Sequence, residues 1–154
     1  MKFLRTTDQG RVYALQPAEL QMLLVVLGSF PLLNDSQAVS KSGDGEQLAE
    51  AQQLLEEALA ERRQVMRHEL EQWMQTPGRF SRTARKIEWQ IENDRREWLL
   101  QILNDVRVGA WRELGSPESL EAARERSDEQ SGRHVALMEL AGMFQMTLLL
   151  EDES

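Results

Sequence analysis

Residues 98–115 read Trp-Leu-Leu-Gln-Ile-Leu-Asn-Asp-Val-Arg-Val-Gly-Ala-Trp-Arg-Glu-Leu-Gly, and this stretch restricts the fold more than any other. It predicts a helix over about 94–114. Leu99, Leu103, Val106, Ala110 and Leu114 fall on one face of that helix, Trp111 and Val108 on the opposite side, and Trp98 and Ile102 on the flank. A helix apolar nearly all round belongs in the centre of a core. Gly109 inside it costs about 1 kcal/mol against alanine, which points to close approach by another backbone. Gly115 sits where a C′ glycine ends a helix, with Pro117 just beyond.

The flanking segments fill in a mainly α-helical single domain over residues 1–154. Residues 2–15 read as a small N-terminal β-hairpin turning at Asp8-Gln9-Gly10. Pro17 suits the first turn of a helix, and Leu20, Leu23, Leu24 and Leu27 give it an apolar stripe ended by Gly28 and Pro31. Residues 34–45 have almost nothing to bury and read as a mobile loop. Residues 46–75 are a long run of strong helix formers stopped by Thr76-Pro77-Gly78. Along the chain there is no internal repeat, and the heptad pattern is nowhere sustained long enough for a free-standing coiled coil.

Ile87, Trp89 and Ile91 alternate with Glu88, Gln90 and Glu92, which favours a third short strand, although the same residues also fit a helical pattern. The strand is preferred because Asn93 and Asp94 then cap the helix that follows. A short helix runs from Ser116-Pro117-Glu118 to about Arg126, and residues 127–132 read as a polar loop. The last helix spans 133–150, and residues 151–154 form an acidic tail. The helices around Leu20 and Met138 are expected to pack on the central one.

Composition removes several kinds of chemistry. At 154 residues folding should bury roughly 70% of the unfolded surface. The absence of cysteine excludes disulfides and thiolate metal sites, and two histidines cannot make a three-histidine metal centre. Neither a secretory leader nor a membrane-length apolar run is read, so the expected location is cytoplasmic, with no membrane partner. The formal net charge of -8 disfavours nucleic acid.

The candidate binding residues are Asn104, Asp105, Arg107 and Trp111. One reading makes Asp105 a site carboxylate and Arg107 an anion clamp, with a tryptophan (89, 98 or 111) lining a pocket. The plainer reading is a structural network that caps neighbouring loops and helix ends. Asp105 and Arg107 point about 160° apart on the helical wheel, so each needs its own partner from another element.

Other candidates read as ordinary surface. His68 fails the Glu-x-x-His pattern because position 65 is Val, and His134 opens a helix; both read as surface or helix-end residues. Glu46, Glu50, Glu56, Glu57, Glu61, Glu69 and Glu71 spread around a long helix as a solvated face rather than as paired catalytic carboxylates. Arg79, Phe80, Arg82, Arg85 and Lys86 form the one basic cluster, read as a linker answering acidic helices. No phosphate loop or catalytic triad is present. Met138, Met143, Met146, Phe144 and the leucines ending at Leu150 are either core or an adaptable partner surface.

In order, the chain offers Leu15-Gln16-Pro17-Ala18-Glu19 opening a Leu-rich helix and a strand-like run ahead of Trp98-Leu99. The block Leu103-Asn104-Asp105-Val106-Arg107-Val108 follows, closing on Leu114-Gly115, and an apolar helix comes last. This order resembles DUF2017, a bacterial family of unknown function. Two features depart from the family's commoner pattern, the longer charged middle helix and Gly109-Ala110-Trp111 after the motif. The resemblance supplies no reaction, and the residues themselves lead to the expectation of no cofactor and no metal. The resemblance implies a link to regulated Clp-type proteolysis, because family members are often encoded near the adaptor that feeds the Clp protease. The expected function is a non-enzymatic protein-binding or adaptor role, with a homodimer through the last helix as one form of partner. The alternative is a small-anion or metabolite binder, or an enzyme, built on Asp105 and Arg107.

Overall fold

The computed structural model describes residues 1–33, 45–125 and 128–150. The expected mobile loop, apart from Gly45, lies outside the described residues, as do Arg126, Ser127 and the acidic tail. The chain is mainly α, 66% helical, with a small antiparallel sheet of four strands. It divides into two compact units, Met1–Leu33 with Gln75–Ser154, and Asn34–Met74.

In the first unit, β1 (Lys2–Thr6) and β2 (Gly10–Leu15) form the expected hairpin. Thr7 tightens its turn, its hydroxyl oxygen accepting from the Gln9 and Gly10 amides at 3.3 and 3.2 Å. The sheet then departs from expectation. A strand β4 (Ile87–Glu92) pairs with β2, and a short β3 (Phe80–Arg82) pairs with β4, giving the order β1-β2-β4-β3. Thus the 87–91 alternation is a strand, and the basic cluster expected as linker contains another.

The register aligns Phe3 with Tyr13, Tyr13 with Trp89, and Trp89 with Phe80. One aromatic row therefore crosses all four strands, with centroid separations of 6.0, 6.4 and 5.9 Å. Tyr13 and Trp89 are fully buried, as are Val12, Leu15, Ile87 and Ile91 around them. Cross-strand aromatic pairs contribute beyond their buried area, so this row fixes the register of a sheet with very short edges. On the outer face Arg5 clasps Glu88 with two hydrogen bonds of 3.2 and 2.8 Å. The Arg5 hydrogen bond is the main reason the Glu88 carboxyl sits below its ordinary pKa.

Helix α1 (Pro17–Gly28) starts as expected, with Pro17 in its first turn and the Gln16 amide donating to Glu19 Oε1 at 2.9 Å. A 3₁₀ turn, Asn93–Arg95, follows β4, and α3 begins at Arg96 and ends at Glu113. Asn93 is therefore not the cap of α3; Arg95 occupies that position and makes no side-chain cap. The Arg95 guanidinium instead lies 4.6 Å from the centre of the Trp98 ring.

Helix α4 (Leu120–Arg124) is capped by the Ser119 hydroxyl, which accepts from the Ala122 amide at 3.1 Å. Helix α5 (Glu129–Leu150) starts a turn earlier than periodicity suggests. Asp128 supplies the reason, accepting from the Ser131 amide at 2.7 Å and the Ser131 hydroxyl at 3.0 Å.

Helices α3 and α5 run antiparallel. Arg96 donates to the Leu148 carbonyl at 3.2 and 2.7 Å, and Gln145 donates to the Leu100 carbonyl at 3.4 Å. The Arg96 cation thereby meets the carbonyl end of α5, where positive charge is favoured. Leu99, Ile102, Leu103, Val106 and Ala110 of α3 are fully buried, as are Ala141, Phe144 and Leu148 of α5. The expected apolar wrap of α3 is incomplete, because Trp111 is 38% exposed.

The second unit is described by α2 (Gly45–Met74), whose buried residues are Leu70 and Trp73. Among the described residues no helix is long and apolar enough to cross a membrane, and no group of three or more metal-ligating side chains comes together.

Candidate functional site on the central helix

The four residues singled out on α3 point to three different neighbours. The Asp105 carboxylate is half-buried, and its Oδ1 accepts from the backbone amides of Leu32 and Leu33 at 2.8 and 3.1 Å. These amides follow the cis peptide Phe30–Pro31, just beyond α1. Gly109, one helical turn on, presents no side chain to the same segment. A Cβ there would stand 2.8 Å from Leu32 C and Leu33 N. The i, i+4 pair of Asp105 and Gly109 therefore makes a seat for residues 32–33. The carboxylate holds the segment's donors while the glycine admits its backbone. This is the close approach that Gly109 suggested.

Arg107 points elsewhere. Its Nη2 donates to Asn104 Oδ1 at 2.9 Å on the solvent side of α3. A Cβ on Gly142 of α5 would come within 3.8 Å of Arg107 Cδ, so the arginine stem runs beside α5. The expectation of a partner from another element thus fits Asp105, whereas the hydrogen bond from Arg107 stays on its own helix.

Trp111 donates from its indole nitrogen to the Pro117 carbonyl at 3.0 Å. It stands where α3 ends in a Schellman turn: the Ser116 amide donates to Trp111 O at 3.0 Å and the Gly115 amide to Arg112 O at 2.9 Å. Gly115 has φ 83, the left-handed conformation that favours glycine, and Ser116 follows it there at φ 53. Asn104 and Arg107 meet each other, and Asp105 and Trp111 each hold a separate loop.

The basic cluster conceals a residue that periodicity did not single out. Arg79 is only 6% exposed. Its Nη1 donates to the Gln90 carbonyl at 2.8 Å and its Nη2 to Glu92 Oε1 at 2.6 Å. It ties the segment entering β3 to β4, beside a cavity of about 30 Å³ lined also by Thr7, Gln9 and Gly10. That volume suits a single water molecule. The only sequence signal was an arginine directly after the Pro77-Gly78 turn, which does not distinguish an inward guanidinium from an outward one. Arg82 and Arg85 are exposed, and Lys86 reaches Glu88 at 4.0 Å. Arg79→Met removes both donors while keeping the stem, and is expected to cost about 1–2 kcal/mol in urea unfolding, since Glu92 retains some access to water.

No family model, curated protein or solved structure matches this chain. Of the histidines, His68 is exposed, and His134 Nδ1 lies 2.9 Å from the Gln130 carbonyl.

Proposed function

We propose that this protein is a non-enzymatic binding or adaptor module of the bacterial cytosol. It engages a protein partner through the apolar outer face at the end of α5. The observation that carries this reading is the exposure of Met143, Met146, Leu149 and Leu150, with Met146 at 63%. Residues 140–150 contain no charged side chain, in a chain that is 29% charged. Such a face offers nothing to a phosphate or a carboxylate. It suits an apolar side-chain row, such as one face of an amphipathic helix, to which methionines adapt readily. The sequence resemblance to DUF2017 supports a partner among the components of Clp-type substrate delivery. A second copy seated on the same face is the other form of partner.

A small-anion site on Asp105 and Arg107 has less support. Two backbone amides engage the carboxylate, and the guanidinium bonds Asn104 instead of converging with it.

The test compares capture by the immobilised full chain with capture by Met146→Glu, which is expected to keep the fold because Met146 is 63% exposed. A specific partner retained by the wild type and reduced at least about tenfold by the substitution supports the reading. Equal capture by both, or none by either, overturns it.

A further inference from the structure

The chain contains no cysteine, so its seven methionines hold all of its sulfur. They differ in exposure. Met146, Met143 and Met22 are 63%, 43% and 41% exposed, whereas Met1, Met66, Met74 and Met138 are partly covered. Two of the three exposed sulfurs therefore belong to α5, at i and i+3, where the side chains of a helix are neighbours.

The face around this pair has few polar groups of its own. Residues 140–150 carry no charge, and their two polar side chains turn to backbone. The Gln145 amide donates to the Leu100 carbonyl at 3.4 Å, and the Thr147 hydroxyl donates to the Met143 carbonyl at 3.1 Å. The apolar character of the face thus rests on Met143, Met146, Leu149 and Leu150, and the first two are oxidisable. A thioether is apolar and flexible, whereas its sulfoxide is polar. Oxidation at either sulfur places an acceptor oxygen in the face, and an acceptor that a partner covers without a donor is costly.

We propose that Met143 and Met146 form a reversible oxidation site, through which a peroxide converts the α5 face from apolar to polar and so releases what docks there. The release rests on the reading of α5 as a docking face; the oxidation does not. The thioether sulfur attacks one oxygen of hydrogen peroxide. The O–O bond breaks as the S–O bond forms, sulfur gives up two electrons, and the other oxygen leaves as water with both protons. Reduction by two thiols, catalysed by a methionine sulfoxide reductase, returns the thioether and yields a disulfide and water. Phe144 and Leu148 hold α5 in the core from its other side, so the change leaves the packing in place. Oxidation of Met138, partly covered on the same helix, would instead disturb packing and lower thermal stability.

The test treats the full chain with hydrogen peroxide and maps sulfoxides by peptide mass over time. Met22→Leu is the starting chain, so that the α5 pair holds the exposed sulfur. Met146 and Met143 are expected to oxidise at least about threefold faster than Met66, Met74 or Met138. The oxidised chain is expected to lose most of its retention on a phenyl matrix while its thermal midpoint stays in place. A sulfoxide reductase with dithiothreitol is expected to restore that retention. Adding Met143→Leu and Met146→Leu keeps the face apolar at similar volume and is expected to make retention indifferent to peroxide. In the capture experiment, the oxidised chain is expected to behave as Met146→Glu does. Equal rates at the covered methionines, retention unchanged by peroxide, and retention lost equally from the leucine variant would each overturn the proposal. So would a loss that the reductase does not restore, or capture undiminished by oxidation. Mapping and retention need no partner, so a chain that passes both and captures nothing overturns the docking reading and leaves the oxidation site standing.

Discussion

Replacing Gly109 by alanine is expected to destabilise the chain by about 2–3 kcal/mol, opposite in sign to the usual effect of that change inside a helix. Propensity alone favours alanine by about 1 kcal/mol. The new Cβ would, however, stand 2.8 Å from two backbone atoms, Leu32 C and Leu33 N. Backbone cannot rotate aside as a side chain can, so residues 32–33 must move and the Asp105 hydrogen bonds lengthen with them. Gly132 provides the control. It lies in the first turn of α5 with open space around it, so Gly132→Ala is expected to gain about 0.5–1 kcal/mol. Thermal unfolding should show the pair diverging, with Gly109→Ala falling by roughly 5–10 °C and Gly132→Ala rising by a few degrees. A Gly109→Ala chain as stable as the wild type would mean that residues 32–33 do not press on α3.

Asp105→Ala is expected to cost about 2–4 kcal/mol. It removes a charged acceptor from two backbone amides and leaves both donors beside a half-buried helix surface. Asp105→Asn keeps an oxygen at that place and is expected to cost about half as much. The ordering alanine worse than asparagine, read from urea midpoints, is the mark of an acceptor role. Equal loss in both variants would mean that the negative charge itself matters. Gly109→Ala with Asp105→Ala should cost less than the sum of the two, because each acts on the same 32–33 segment.

The parts of the fold legible in the sequence are those whose signals are local. Pro17 marked the start of α1, Gly115 the end of α3, and the alternation around Trp89 the strand β4. The start of α3 was misread for a related reason: Asn93 has the chemistry of a cap, but a 3₁₀ turn takes it up. Strand β3 has three residues and no alternation to read. It is held by stacking of Phe80 on Trp89, nine positions away, which no periodicity encodes.

The candidate site was only half legible, for a physical reason. An aspartate and an arginine two residues apart stand out as charged groups, but the partners of Asp105 are main-chain amides, which every residue but proline carries. Gly109 was the better clue, because a missing side chain in a helix implied a neighbour before that neighbour was known. Arg79 gave no such clue: its partners, Gln90 and Glu92, belong to a strand eleven and thirteen positions on.

The sheet also bears on how this chain behaves when crowded. Its outer strands are β1, whose pairing slips between Phe3 and Arg5, and β3, only three residues long. Neither edge gives a stranger's strand a straight run of donors and acceptors to add onto. Lys2, Arg5 and Arg82 charge those two edges with the same sign. The β portion therefore offers little for a second copy's strand to extend.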